Sequence, residues 1–277
     1  MQLPSKFWSD LTTRHFAQLA ASVDLAKAVA VLPVAATEQH GPHLPAGVDA
    51  TLVDGVIQAA LPHLQADLPV LFMPTQQIGL SPEHIRFPGT LTLSAQTLIA
   101  NWMELGACVA RAGIQKLVIF NSHGGQVSVM DIVARDLRTA HELIVCHACW
   151  YNLPLGDMVT GLFSPEEHRF GIHGGDMETS MMLALRPDLV DMALAQNFKS
   201  TSQDRAAKYA ILGNGKSAKF GWQMQDYNPQ GAAGNAAGAS VEKGRALLDA
   251  AGLQLARLLR EVSDLPLSTL NPKPDLS

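Results

Sequence analysis

"AVAVLPVAATEQHGPHLPAGVDA" occupies residues 28–50. Its first seven residues are an uncharged apolar run, short and bounded by punctuation, which reads as a buried strand. The run then breaks into a segment too rich in glycine and proline to be a helix. Glu38, His40, His43 and Asp49 all lie in that segment. Asp49 follows a turn built from Pro45 and Gly47 and opens the helical pattern "ATLVDGVIQAALPHL" at residues 50–64. A strand, a ligand-rich exit loop and a helix in that order form the start of an α/β alternation.

The alternation continues. Residues 69–75 ("PVLFMPT"), 116–122 ("KLVIFNS") and 142–150 ("ELIVCHACW") read as further buried strands. Helical patterns fall at residues 94–113, with Ser94 as N-cap and Gly113 as stop, and at residues 127–140. A late helix, from about residue 239 to 262, packs across the sheet. Strands alternating with helices of this length imply a mostly parallel sheet covered on both faces, an α/β fold.

The chain has 277 residues, 47% of them hydrophobic and 16% charged, with a formal net charge of -5 and a pI near 6.0. That length allows one α/β domain or two small ones. No long basic run occurs, so the partner is a small molecule rather than nucleic acid. The three cysteines, Cys108, Cys146 and Cys149, cannot all pair with one another, which indicates a reducing compartment. Cys146 and Cys149 form a C-x-x-C, but inside a strand pattern and with no second ligand pair, so they read as core. The first ten residues lack a secretory pattern, and no uncharged run is long enough to span a bilayer. The expectation is a cytoplasmic protein that does not enter the membrane.

Residues 213–240 form the longest stretch without periodicity. Trp222 and Tyr227 lie within it, which suggests a wall or lid of a site rather than a linker. "GKS" at residues 215–217 lacks the opening glycine and the strand–loop–helix context of a phosphate loop, and is set aside.

In open α/β sheets, sites form at the carboxyl ends of strands. The first strand exits into Glu38, His40 and Asp49; the third exits into His123, with Gly124 and Gly125 leaving backbone room for a ligand. In extended backbone Glu38 and His40 point the same way. Imidazole mixed with carboxylate suits zinc, manganese or iron better than calcium, and one aspartate can bridge two ions. Taken singly, Asp49 is explained equally well as a helix cap and His40 as a loop histidine; the joint pattern is what favours a metal. A further exit loop leads to "FGIHGGDMETSMMLAL", where His173 precedes paired glycines and Glu178 opens a helix.

The blocks "PVAATEQHGPHLPAGVDA", "GLSPEHIRFPGTLTLS", "NSHGGQ", "HGGDMETSMMLALRPDLV" and "ASVEKGR" together resemble the creatininase (creatinine amidohydrolase) family, in the family's order and over most of the chain. The resemblance implies a single domain over residues 1–277 with a three-layer α/β/α fold and a mostly parallel central sheet. It also implies two divalent ions, zinc or manganese with iron as an alternative, and a homo-oligomer, commonly a hexamer. The activity it implies is hydrolysis of a C–N bond in a small cyclic or linear amide by metal-activated water. Glu38 and His123 would hold one ion and His40 the other, with Asp49 bridging. Glu178 would supply a further carboxylate or an acid/base, and His173 would act on substrate as acid or base. Ser81, His84, Gly124 and Trp222, together with Glu83, are read as lining the substrate pocket, and His43 as orienting a ligand. One position departs from the family: Gly125 stands where creatininase proper carries a metal-binding glutamate. That departure weakens creatinine as the substrate and leaves Glu178 to replace the missing carboxylate. A deformylase or a peptidase of the same family is the alternative enzyme, and a non-catalytic metal-bound protein the alternative class. Ser122 as a hydrolase nucleophile is disfavoured, because "NSHGG" lacks the spacing of a nucleophile elbow.

Overall fold

A computed structural model describes residues 3–271, 273, 274 and 276. The central sheet has four strands, β1 Val29–Val34, β2 Val70–Phe72, β3 Lys116–Asn121 and β4 Ile144–Cys149. They are all parallel, in the order β2-β1-β3-β4. Each coincides with a run read as a strand. β2 is the shortest, since Pro69 and Pro74 flank it and neither can donate to a ladder.

The described helices are α1 Thr13–Ala20, α2 Val48–Ala60, α3 Ala95–Arg111, α4 Val127–His141, α5 Asp157–Thr160, α6 Pro165–Phe170, α7 Asp176–Leu185, α8 Thr201–Lys208, α9 Met224–Tyr227 and α10 Val241–Asp264. Strand alternation sends Val29, Val31, Val118 and Phe120 to one face, where they pack with α2, α7 and α10. Ala30, Leu32, Val34, Leu117 and Ile119 go to the other face, against α3 and α4. The result is a three-layer α/β/α sandwich. The path explains the layering. From β1 the chain steps one way to β2, then back past β1 to β3 and β4. Right-handed crossovers in opposite directions must lie on opposite faces. α2 and the pair α3, α4 do so.

Local signals set the helix ends. Ser94 caps α3, its side chain accepting from the Thr97 amide, and Gly113 follows the helix with φ +83°. α10 buries Leu247, Ala251, Leu255, Leu259 and Val262 on one stripe. Truncating Leu255 to alanine would cost about 2–5 kcal/mol. Lys116, buried at the start of β3, donates through Nζ to the Ser263 carbonyl and ties the sheet to α10.

Cys146 and Cys149 lie three residues apart on β4 and join opposite core faces, so they present no shared ligand pair. No disulfide joins the three cysteines. The stretch 213–240 is more regular than its sequence suggests. It contains α9 and a two-residue strand, β6 Gly234–Asn235, antiparallel to β5 Asn197–Phe198.

The order β2-β1-β3 makes the gap beyond β1 and β3 the point where successive connections diverge. That crevice is the standard ligand position in an open α/β sheet. Val34 and Asn121, the last residues of β1 and β3, are register partners. Glu38 and His123 therefore leave the sheet side by side.

Candidate metal centre

The exit of β1 is held open by long-range contacts rather than by regular structure. The Glu38 amide donates to the Ala46 carbonyl, the Gln39 amide to Thr90 Oγ1, and the Leu91 amide to the Thr37 carbonyl. At the exit of β3, Asn121 Oδ1 accepts the His123 amide at 2.9 Å while its Nδ2 donates to the His123 carbonyl at 2.6 Å. Asp49 sits in the first turn of α2, where the helix dipole favours a carboxylate. Gly174, at φ +61°, turns the chain between His173 and α7, and its amide donates to Glu178 Oε2 at 2.5 Å.

These segments converge on one buried cluster. Glu38 Oε1 lies 3.2 Å from His123 Nδ1, 3.3 Å from His84 Nε2 and 3.7 Å from His173 Nδ1. Asp49 lies between two imidazoles, with Oδ1 3.4 Å from His40 Nε2 and Oδ2 3.4 Å from His123 Nδ1. Four overlapping triads bring their ligand atoms within 4.8 Å of one another: Glu38–His40–Asp49, Glu38–His84–His173, His40–His173–Glu178 and Glu38–Glu83–His123.

The proton inventory shows what the cluster lacks. His40 Nδ1 is 2.9 Å from the Glu38 carbonyl, His173 Nε2 is 2.6 Å from the Gln39 carbonyl, and His123 Nε2 is 2.8 Å from the Leu80 carbonyl. A carbonyl accepts only, so in each ring that nitrogen carries the hydrogen, and the other presents a lone pair to the carboxylates. Lone pairs then face carboxylate oxygens across 3.2–3.7 Å. Glu38 Oε2, His40 Nε2 and Asp49 Oδ2 are buried with no hydrogen-bond partner. Buried acceptors opposed in this way require a positive charge among them, either extra protons or a cation. Nitrogen and carboxylate donors at this spacing fit a divalent transition metal.

The titration behaviour carries the same demand. Burial alone would lower His40, but Asp49, Glu178 and Glu38 outweigh it and raise the imidazole to about 9. Burial likewise opposes, and Glu38 and Asp49 overcome it, to carry His123 well above its ordinary value. Burial pushes Glu38 up, yet His123, His84 and His173 hold it well below the usual carboxylate range. His173 goes the other way: burial, with His40 and His84 beside it, keeps it well below its ordinary value. Burial pushes Glu178 up to about 7, against the pull of His40 and with the repulsion of Asp49.

Beside the cluster lies a cavity of about 350 Å³. Glu38, Asp49, His123, Gly124, His173 and Glu178 line it, together with Trp150 and Tyr151 from the exit of β4. The pocket-lining expectations divide. Gly124 faces the cavity. Ser81 is fully buried behind the cluster, its Oγ 3.4 Å from His123 Nε2. His84 is a member of the cluster itself, with Nδ1 held 2.8 Å from Gln39 Nε2. Trp222 sets its ring edge-on to His84 at 6.4 Å, and lines a neighbouring cavity instead. His43 points away from the centre. Its Nε2 meets Thr179 Oγ1 at 2.9 Å and its ring stacks on Phe198. Ser122 Oγ donates to the Asp49 carbonyl at 2.6 Å, so that hydroxyl steadies the start of α2. The place of Glu178 differs from the expectation that it replaces the carboxylate missing at Gly125: it groups with His40 and His173, and the carboxylate beside His123 and Glu38 is Glu83. The sequence signal for Glu83 and His84 was the second punctuated acid–histidine run, "SPEHIRFPG", a short echo of "TEQHGPH".

With that geometry in view, comparison with known proteins identifies the lineage. Residues 9–259 match the family described as Creatininase, creatinine amidohydrolase. The chain is 32% identical over 201 residues to creatinine amidohydrolase of Pseudomonas putida, covering 68% of this chain and 75% of that one. It is 34% identical over 166 residues to the mycofactocin precursor peptide peptidase of Mycobacterium tuberculosis, covering 57% and 58%. A solved structure of creatininase with manganese superposes with a TM-score of 0.74 at 28% identity, covering 93% of this chain and 98% of that one. By a family match that runs through both strand exits and α7, this chain belongs to the creatininase family.

Proposed function

We propose that this protein is a metal-dependent amidohydrolase that cleaves a C–N bond of a small amide. The observation that carries the reading is the set of imidazole nitrogens and carboxylate oxygens gathered at 3.2–3.7 Å in a buried cluster beside a cavity. Two ions, zinc or manganese, suit it. Glu38 and His123 would hold one, His40 and Glu178 would hold the other, and Asp49, 3.4 Å from both His40 and His123, would serve both. Such ions, when bound, polarise a carbonyl and lower the pKa of water toward neutrality.

The chain's own residues do the rest. The carbonyls of Glu38, Gln39 and Leu80 fix the rings of His40, His173 and His123, so each presents a defined nitrogen. His173, kept neutral by its surroundings, takes a proton at Nδ1 during attack and returns it to the departing nitrogen. Glu178, poised near neutrality, is a second proton carrier when it is not engaged as a ligand. Trp150 and Tyr151 wall the cavity and limit water.

A peptidase reading of the same centre is the second candidate, supported by the 34% identity to the mycobacterial peptide peptidase. The test is hydrolysis by zinc- or manganese-loaded protein of creatinine, formamido heterocycles and short peptides. Turnover that needs the metal supports the proposal and selects between the readings. A fully loaded protein that cleaves no amide would leave only a metal-bound binding protein.

A further inference from the structure

A second cavity, of about 410 Å³, adjoins the first. Ile172 lines both, and Trp222 on the second cavity's wall stands edge-on to His84 of the cluster. Among the described residues, the walls of this cavity carry Arg169, Arg205, Lys216 and Lys219, and no acidic side chain. The chain as a whole has 25 Asp and Glu against 20 Lys and Arg, so four cations without a carboxylate run against its composition. Among the described residues none of the four forms an ion pair, whereas nearby Lys199 pairs with Asp204 at 3.1 Å.

Arg205 is the most organised of them. Its guanidinium lies over the Tyr227 ring at 4.7 Å and the Phe220 ring at 5.2 Å. Its Nη1 donates to Thr201 Oγ1 at 2.9 Å, while Nη2 is buried with no acceptor. A buried guanidinium nitrogen without an acceptor is costly, and the cost is removed when an anion fills the space. Aromatic stacking fixes the fork before any ligand arrives.

We propose that this cationic cavity binds an anionic group, carboxylate or phosphate, at the far end of the substrate whose amide lies at the histidine–carboxylate cluster. The assignment to substrate rests on the amidohydrolase reading; the anion site itself does not. The substrate is then an amide with a negative charge beyond the scissile bond, reaching past Ile172.

The test is a titration of metal-loaded protein with inorganic phosphate and, separately, with acetate, read by tryptophan fluorescence. A saturable change with either anion is expected, and the stronger of the two identifies the group. Arg205→Gln should raise the dissociation constant at least ten-fold with bound metal unchanged, and Trp222→Phe should remove the signal. Should Arg205→Gln fail to fold, the Lys216→Gln/Lys219→Gln double variant takes its place, with at least a three-fold weakening expected. No saturable change with either anion, or equal binding by the variants, would overturn the proposal. Anion binding intact in a protein that hydrolyses no amide would overturn the substrate assignment and the hydrolase reading while upholding the anion site.

Discussion

Glu83 and Gly125 share one volume. A Cβ placed on Gly125 would sit 1.9 Å from Glu83 Oε1 and 2.6 Å from His123 Nε2. The Glu83 carboxyl is raised by burial, against the pull of His123, and stands 3.5 Å from His123 Nε2. Gly125 therefore admits the carboxylate that flanks the ring of His123. Gly125→Ala should displace Glu83 or tilt the ring, costing about 1–3 kcal/mol as an overpacked site. Urea unfolding and bound-metal analysis check this together. An unchanged midpoint with unchanged metal content would show that the site yields freely.

Among the described residues, Asp49 is the one carboxylate that pairs with both His40 and His123. Asp49→Asn keeps the shape and removes the charge. The expected result is loss of bound metal and of turnover together, measured by elemental analysis and by amide hydrolysis. Turnover lost with metal fully retained would remove Asp49 from its bridging role.

His173 should behave differently. Its Nε2 is held by the Gln39 carbonyl and its Nδ1 is 3.7 Å from Glu38, the longest of the close contacts to that carboxylate. His173→Ala should keep its metal and lose roughly 10²–10⁴ in turnover, the usual weight of a general acid–base group. A variant that loses metal instead would make His173 a ligand.

The metal-free protein should have a pH window of its own. His40 is raised to about 9 when folded, so its stabilising proton is fully present below its unfolded value near 6.5 and is lost as pH rises through 9. His84, lowered to about 4 mainly by burial, stays neutral when folded and loses stability as pH falls from about 6.5 toward 4. Thermal unfolding of metal-free protein should therefore peak near pH 6–7 and decline on both sides. Metal should flatten the alkaline arm, because the cation replaces the His40 proton. An alkaline decline of equal depth with and without metal would contradict this.

How much was legible in the sequence depended on where the information sits. β1 and β3, buried on both faces, appear as apolar runs, and β4, an edge strand that is only partly buried with His147 exposed, keeps enough apolar residues that all three could be read within a residue or two. Ser94 and Gly113 marked α3 because capping chemistry is local. The pairing of the β1 and β3 exits followed from one rule about parallel sheets. Membership of Glu83 and His84 in the cluster was not local: a three-residue turn, Pro82–His84, is placed by contacts such as Ser81 N to Thr92 Oγ1 and Leu93 N to the Gly79 carbonyl. The site of Trp222 was hidden for a related reason. α9 and β6 span four and two residues, too short to show a period.

The most direct test of the central reading is a crystal structure of manganese-loaded protein with the ions located by anomalous scattering. Two peaks are expected, one within about 2.0–2.3 Å of a His123 ring nitrogen and a Glu38 oxygen, the other at a similar distance from His40, with Asp49 reaching both. Peaks confined to the surface, or none in a protein that still folds, would contradict it.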